Sequence, residues 1–193
     1  MPAVSPSPER ARLWLPVLMR AVVALAFGAV TVFWGQPTTA GAAWVFAAYL
    51  WCLLAAQVWL LRSERPVPQR ASALVGLVPY ALGAAAGVVL VAAPSIGVVA
   101  GAGAAAIALA GISDVARAAL SRRAAEGSAP LARDLLITGV VNLGAGLLLP
   151  FFAGLGPHAL LGVAGGAAII IGVLLTIAGL SLRHDSAASA RVA

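Results

Sequence analysis

Six stretches of about 20 apolar residues, joined by short connections that are alternately uncharged and rich in arginine, constrain this chain more than any motif in it. The stretches run from about Leu13 to Gly35, Gly41 to Leu61, Ser72 to Ala93, Ile96 to Ala116, Leu131 to Phe152 and His158 to Leu182. That length suits an α-helix crossing a bilayer. Apolar residues make up 62% of the chain and charged residues 9%, with a mean hydropathy of +1.03, whereas a soluble domain has roughly a quarter of its residues charged. So little charge cannot cover a surface exposed to water. The expected fold class is all-α, a polytopic membrane protein of six transmembrane helices.

The charges then orient the spans. Lysine is absent, so all 12 basic residues are arginines. Arg62, Glu64, Arg65 and Arg70 crowd the second connection, and Arg117, Arg122, Arg123, Glu126, Arg133 and Asp134 crowd the fourth. Arg10, Arg12 and Arg20 flank the first span, and Arg183 and Arg191 follow the last. The segments Gln36 to Ala40, Ala93 to Ser95 and Ala153 to Pro157 carry no charge. Arginine in short loops marks the cytoplasmic side, so both termini are expected there, in a cell (inner) membrane. Residues 1–12 read as a disordered cytoplasmic tail and 183–193 as a second tail. The net charge of +6 comes without a continuous basic face or stacking motif, which argues against nucleic acid. The expected partner of these arginines is anionic lipid at the cytoplasmic face. The first span has a longer apolar core than a cleaved signal peptide, about 7 to 15 residues, and is read as permanent.

Aromatic residues fit the same frame. Trp14 and Trp34, and likewise Trp44 and Trp59, stand toward opposite ends of a span, as interfacial anchors do. Tyr49 and Trp51 sit deeper and are expected to pack against another helix. Pro37, Pro94 and Pro150 are spaced 57 and 56 residues apart, and Arg20 and Arg133 each stand 17 residues before their proline. This spacing predicts three parallel hairpin repeats, at about 13–61, 72–116 and 131–182, with Arg20 and Arg133 equivalent. The third hairpin carries extra residues, Phe151 to Pro157, before its return helix.

Three Gly/Ala/Leu-rich hairpins, a proline turn after each odd span, and the segment Gly111-Ile-Ser-Asp-Val-Ala-Arg-Ala-Ala-Leu120 together resemble the HdeD-type acid-resistance membrane proteins. The resemblance covers about Leu13 to Leu182 and rests on hydropathy, length and small-residue pattern. It implies a short membrane repeat and a part in acid or envelope stress, with no catalytic or binding residue to carry over.

Within the spans, Gly83 and Gly87, Gly97 and Gly101, and Gly162 and Gly166 are paired four apart, each pair baring a helix face for close packing or for self-association. Asp114 is expected at the cytoplasmic headgroup level, with Arg117 three residues on as its ion-pair partner; a proton-accepting or gating role is the alternative. Arg20 is expected to snorkel toward that interface. Asn142 should lie well inside the apolar layer and hydrogen-bond another helix. Asp134 suits a helix start, with Ser128 and Pro130 as nearby start signals. Pro79 removes a backbone donor and should loosen the third span, where Tyr80 can pack or hydrogen-bond.

Catalytic readings find no support. Cys52 is a single cysteine inside a span, and His158 and His184 fall on opposite sides of the membrane, so neither metal binding nor a cofactor is expected. Ser181, His184 and Asp185 lie in a tail with nothing to orient them as a triad, and Gly101-Ala-Gly-Ala-Ala-Ala106 lies in a helix rather than between a strand and a helix. The sequence thus predicts a non-enzymatic membrane protein. Two alternatives stay open: a small-solute or proton transporter with its pathway between the hairpins, and an accessory subunit or homo-oligomer that packs through its small residues.

Overall fold

The computed structural model describes residues 10–64, 70–124 and 131–190. Six helices account for nearly all of them: α1 Arg10–Phe33, α2 Thr39–Ser63, α3 Arg70–Ala92, α4 Ile96–Ala124, α5 Ala132–Leu148 and α6 Pro157–Ala190, with a short 3-10 helix, Leu149–Leu155, after α5. Each of the six contains a segment long and apolar enough to cross a membrane. The protein is therefore all-helical, as expected. Lipid-type exposure fits this reading: Phe33, Val88, Leu147 and Phe151 are large, apolar and at least 60% exposed, which water would penalise and a bilayer would not.

Helix starts follow local chemistry where the residues allow it. The Thr38 hydroxyl accepts from the Gly41 amide (3.0 Å) at the start of α2, and Ser95 accepts from Val98 (3.3 Å) at the start of α4. The sole positive-φ residue described is Gly156 (φ 89°), where the 3-10 helix hands over to α6. Asp134 stands in the first turn of α5, as expected. Ser128, Pro130 and residues 1–9 lie outside the described residues.

Helices adjacent in the chain pack side by side, and α1 closes on α6 to complete a ring. The broadest interfaces are α1 with α6 and α4 with α5, whereas α5 touches α6 much less. Glycines spaced by seven explain this. On α6, Gly165, Gly172 and Gly179 receive Thr31, Leu25 and Leu18 of α1; a Cβ at Gly172 would lie 2.6 Å from Leu25 Cγ, and one at Gly179 2.7 Å from Leu18. Between α4 and α5 the backbones themselves meet. A Cβ on Gly111 would fall 2.7 Å from the Gly139 carbonyl oxygen, and one on Gly146 2.9 Å from that of Ala104. A seven-residue period keeps one stripe facing one neighbour along two crossing helices, and in lipid such close backbone approach is a main source of cohesion.

The four-apart glycine pairs behave differently from the sequence expectation. Gly83 faces Ala106 and Gly87 faces Trp51 and Ala47, so this pair does pack between helices. Gly97, Gly101, Gly162 and Gly166 are exposed, and a Cβ on any of them would meet nothing within 4 Å. Their faces look outward from the bundle, because the inner faces of α4 and α6 are taken by the seven-spaced set. The proposed equivalence of Arg20 and Arg133 does not extend to their surroundings either. Arg133 is exposed, whereas Arg20 is only 3% exposed.

Candidate functional site: a polar network inside the ring

Arg20 does not snorkel. Its guanidinium points into the bundle and pairs with Asp114 of α4, on the far side of the ring, although the backbones of α1 and α4 do not touch. Asp114 is wholly buried. Its carboxylate accepts from Arg20 Nη2, from the Tyr80 hydroxyl of α3 (3.0 Å to Oδ1) and from the Thr138 hydroxyl of α5 (3.3 Å to Oδ2). Arg20 Nη2 also reaches the Tyr80 oxygen, and Nη1 donates to Gln57 Oε1 of α2 (3.2 Å). The guanidinium carbon stands 5.2 Å from the centre of the Tyr80 ring, within cation–π range. Five of the six helices thus supply one side chain each to a single network.

The expected Asp114–Arg117 ion pair is not formed. Arg117 instead pairs with Glu64 at the C-terminal end of α2, and its stem crosses α3 at Gly76, where a Cβ would lie 2.8 Å from Arg117 Cδ. The reason is direction. Residues three apart on a helix are neighbours, but Asp114 turns to the ring interior while Arg117 runs across α3 to another helix. Burial supplies the driving force: an unpaired charge inside costs several kcal/mol, and each arginine takes the carboxylate that its own neighbours orient.

Pro79 organises the same region. Within α3 it cannot donate to the carbonyl four residues back, that of Val75. The Ser113 hydroxyl of α4 donates to that oxygen (2.8 Å), and Gln57 Nε2 donates to the adjacent Gly76 carbonyl (3.0 Å). Side chains of neighbouring helices thereby satisfy backbone groups that membrane lipid could not. Ser113, Asp114 and Arg117 make α4 the hub: one residue serves the proline gap, one the axial pair and one the outer pair.

Above the network, away from the arginine-rich connections, the interior is apolar. Phe27 stacks on Tyr49 at 4.1 Å and meets Phe46 edge-on at 5.7 Å, and Phe46 and Leu149 pack against Gly103 of α4. Trp51 donates to the Ala84 carbonyl (3.0 Å), so Tyr49 and Trp51 both pack between helices as expected. Asn142 is 7% exposed, one turn beyond Thr138 on the same side of α5. The expected interhelical hydrogen bond is missing: Asn142 makes none with the described residues. Three buried donors also lack partners, Arg20 Nε and Arg117 Nε and Nη1.

Among the described residues no group of three His, Cys, Asp or Glu gathers that could hold a metal. Ser181 and His184 are exposed on the last turns of α6, and the Asp185 side chain lies outside the described residues. Gly101 to Ala106 is continuous α-helix.

Sequence reasoning singled out Asp114, Arg117 and Asn142 but passed over Gln57, Ser113 and Thr138, and gave Arg20 the wrong direction. One signal could have found the axial set. Counted from the arginine-rich end of its span (Leu13, Ser63, Arg70, Arg122 or Ala132), Arg20 is 7 residues in, Gln57 6, Tyr80 10, Asp114 8 and Thr138 6. At 1.5 Å per residue these depths are all about 9 to 15 Å, so five hydrogen-bonding residues stand at one level. No protein-family model, curated protein or solved structure matches this chain.

Proposed function

We propose that this is a non-enzymatic integral membrane transporter that carries a proton or small cation by way of the Arg20–Asp114 network. The observation that carries this reading is a buried ion pair across the ring, held by side chains of five helices. Charged residues inside a bilayer are costly, and they concentrate where ions or protons pass. A bundle needing only cohesion has it already in the glycine-lined α1–α6 and α4–α5 interfaces. The network lies beneath the apolar layer of Phe27, Phe46 and Leu149, with the Arg117–Glu64 pair outside it against α3, an arrangement suited to an occluded state. Access would come from the side assigned to the cytoplasm by its arginines.

The test uses purified protein in liposomes loaded with a pH-sensitive dye. An imposed pH or cation gradient should drive a flux above that of empty liposomes. Tyr80→Phe, which keeps the ring and removes one donor to Asp114, should reduce it several-fold. A wild-type flux equal to that of empty liposomes refutes transport. A part in acid or envelope stress rests on the HdeD resemblance alone, and its test is survival of a deletion strain at low pH.

The outward-facing Gly97, Gly101 and Ala105 of α4 favour a second reading, an accessory subunit docked through that face. Crosslinking from this face to a partner in native membranes would support it.

A further inference from the structure

Every group around the Arg20 guanidinium comes from another helix. Asp114 supplies a carboxylate, Tyr80 a hydroxyl and a ring face, and Gln57 an amide oxygen at 3.2 Å. α1 contributes nothing to this box except the cation, delivered on a long flexible stem. The box satisfies only the outer edge of that cation. Both terminal nitrogens are bonded, but Nε, next to the stem, is buried without an acceptor. Asn142, one turn beyond Thr138 on the same side of α5, is buried and makes no hydrogen bond with the described residues.

We infer that this box is a binding site for a small organic cation with a guanidinium or amidinium head, and that Arg20 fills it as an internal occupant in the closed conformation. The inference rests on the transport reading and specifies its substrate class. A planar fork is favoured over a spherical ion because a carboxylate and an amide oxygen accept from two separate edges while an aromatic face covers the plane. Arg20 can vacate the box. Its Cα lies 7 residues, about 10 Å, from the arginine-rich end of its span, and a long arginine side chain can turn that way to place its charge near the interface. Because a tethered group competes at high effective concentration, the wild-type protein should bind an outside cation weakly. Removing the tether should reveal the site.

The experiment measures thermal unfolding of Arg20→Ala with methylguanidinium chloride, against potassium chloride and tetramethylammonium chloride at equal ionic strength. Methylguanidinium at ten times its Kd should raise the Tm by about 4 °C, saturably, and the other salts should not. Adding Asp114→Asn to Arg20→Ala should abolish the response. Arg20→Gln, which keeps a polar side chain, provides a second background for the same measurement. If neither variant is recovered folded alone, recovery of monodisperse protein upon extraction in methylguanidinium supports the site, and failure of that recovery overturns it. No Tm response, or an equal response to potassium, also overturns it, whatever flux the wild-type liposomes show. A saturable response in the variants beside wild-type liposomes that take up neither protons nor methylguanidinium keeps the box and removes transport.

Discussion

Replacing Asp114 by Asn tests whether the axial pair is the electrostatic keystone of the bundle. The change keeps shape and leaves one oxygen to accept from either Tyr80 or Thr138, which bond different carboxylate oxygens, but it strands the Arg20 charge at 3% exposure. Breaking a buried pair by removing one partner costs about 3–5 kcal/mol. With about 2–4 °C of Tm per kcal/mol for a chain of this size, the expected loss is roughly 6–20 °C. Arg20→Met should cost less than Asp114→Asn. A stranded carboxyl can take up a proton, but a stranded guanidinium cannot lose one. In the double variant Arg20→Met/Asp114→Asn no charge is left, and the main remaining defect is Gln57 Oε1 without its donor, about 1–2 kcal/mol. The double variant should therefore be more stable than Asp114→Asn alone, with a coupling of at least about 3 kcal/mol between the sites. Thermal unfolding in one detergent, followed by helical circular dichroism, measures all four proteins. Additive losses, or an Asp114→Asn Tm within 2 °C of wild type (well below the minimum of roughly 6 °C expected), would refute the argument that these groups hold each other inside.

The other predictions concern packing and the proline gap. Gly139→Leu should destabilise strongly or prevent folding, because even a Cβ there falls 2.8 Å from the Gly111 carbonyl oxygen and 2.9 Å from Val115 N; Gly101→Leu, with open space around it, should leave the monomer's Tm unchanged. Loss of oligomer in Gly101→Leu at unchanged Tm would instead favour the docking reading. Ser113→Ala leaves the Val75 carbonyl without its donor and should cost about 1–3 kcal/mol. Much of that loss should be recovered in Ser113→Ala/Pro79→Ala, where the backbone N–H returns, and a double variant no more stable than Ser113→Ala would count against this account.

How far the sequence carried depended on the range of the interaction. Hydropathy and span length read off the six helices because lipid acts on each segment separately. The expectations that Tyr49 and Trp51 pack between helices and that Asp134 opens α5 came from local position, and the structure agrees. The glycines show where local reading stops. Spacing by four drew attention to Gly97 and Gly101, while the contacts run through spacing by seven at Gly165, Gly172 and Gly179. Both periods lie on one helix face, and nothing within a single helix says which face meets a neighbour. Arg20 and Asp114 stand 94 residues apart. Each was assigned to the nearest interface or the nearest opposite charge in sequence because a partner on a distant helix leaves no local trace.

By itself the sequence determined six apolar helices, the grouping of arginine at alternate connections, and the presence of a few costly polar groups within the spans. These follow from segment-by-segment transfer between water and lipid, which needs no knowledge of neighbours. Only the tertiary structure decided that α1 closes on α6 and brings Arg20 across from Asp114. It also decided that Arg117 turns to Glu64 and that Ser113 answers the gap left by Pro79. In an interior that screens charge poorly, such groups settle only where partners meet at one depth, and that is a property of the assembled ring rather than of any helix in it.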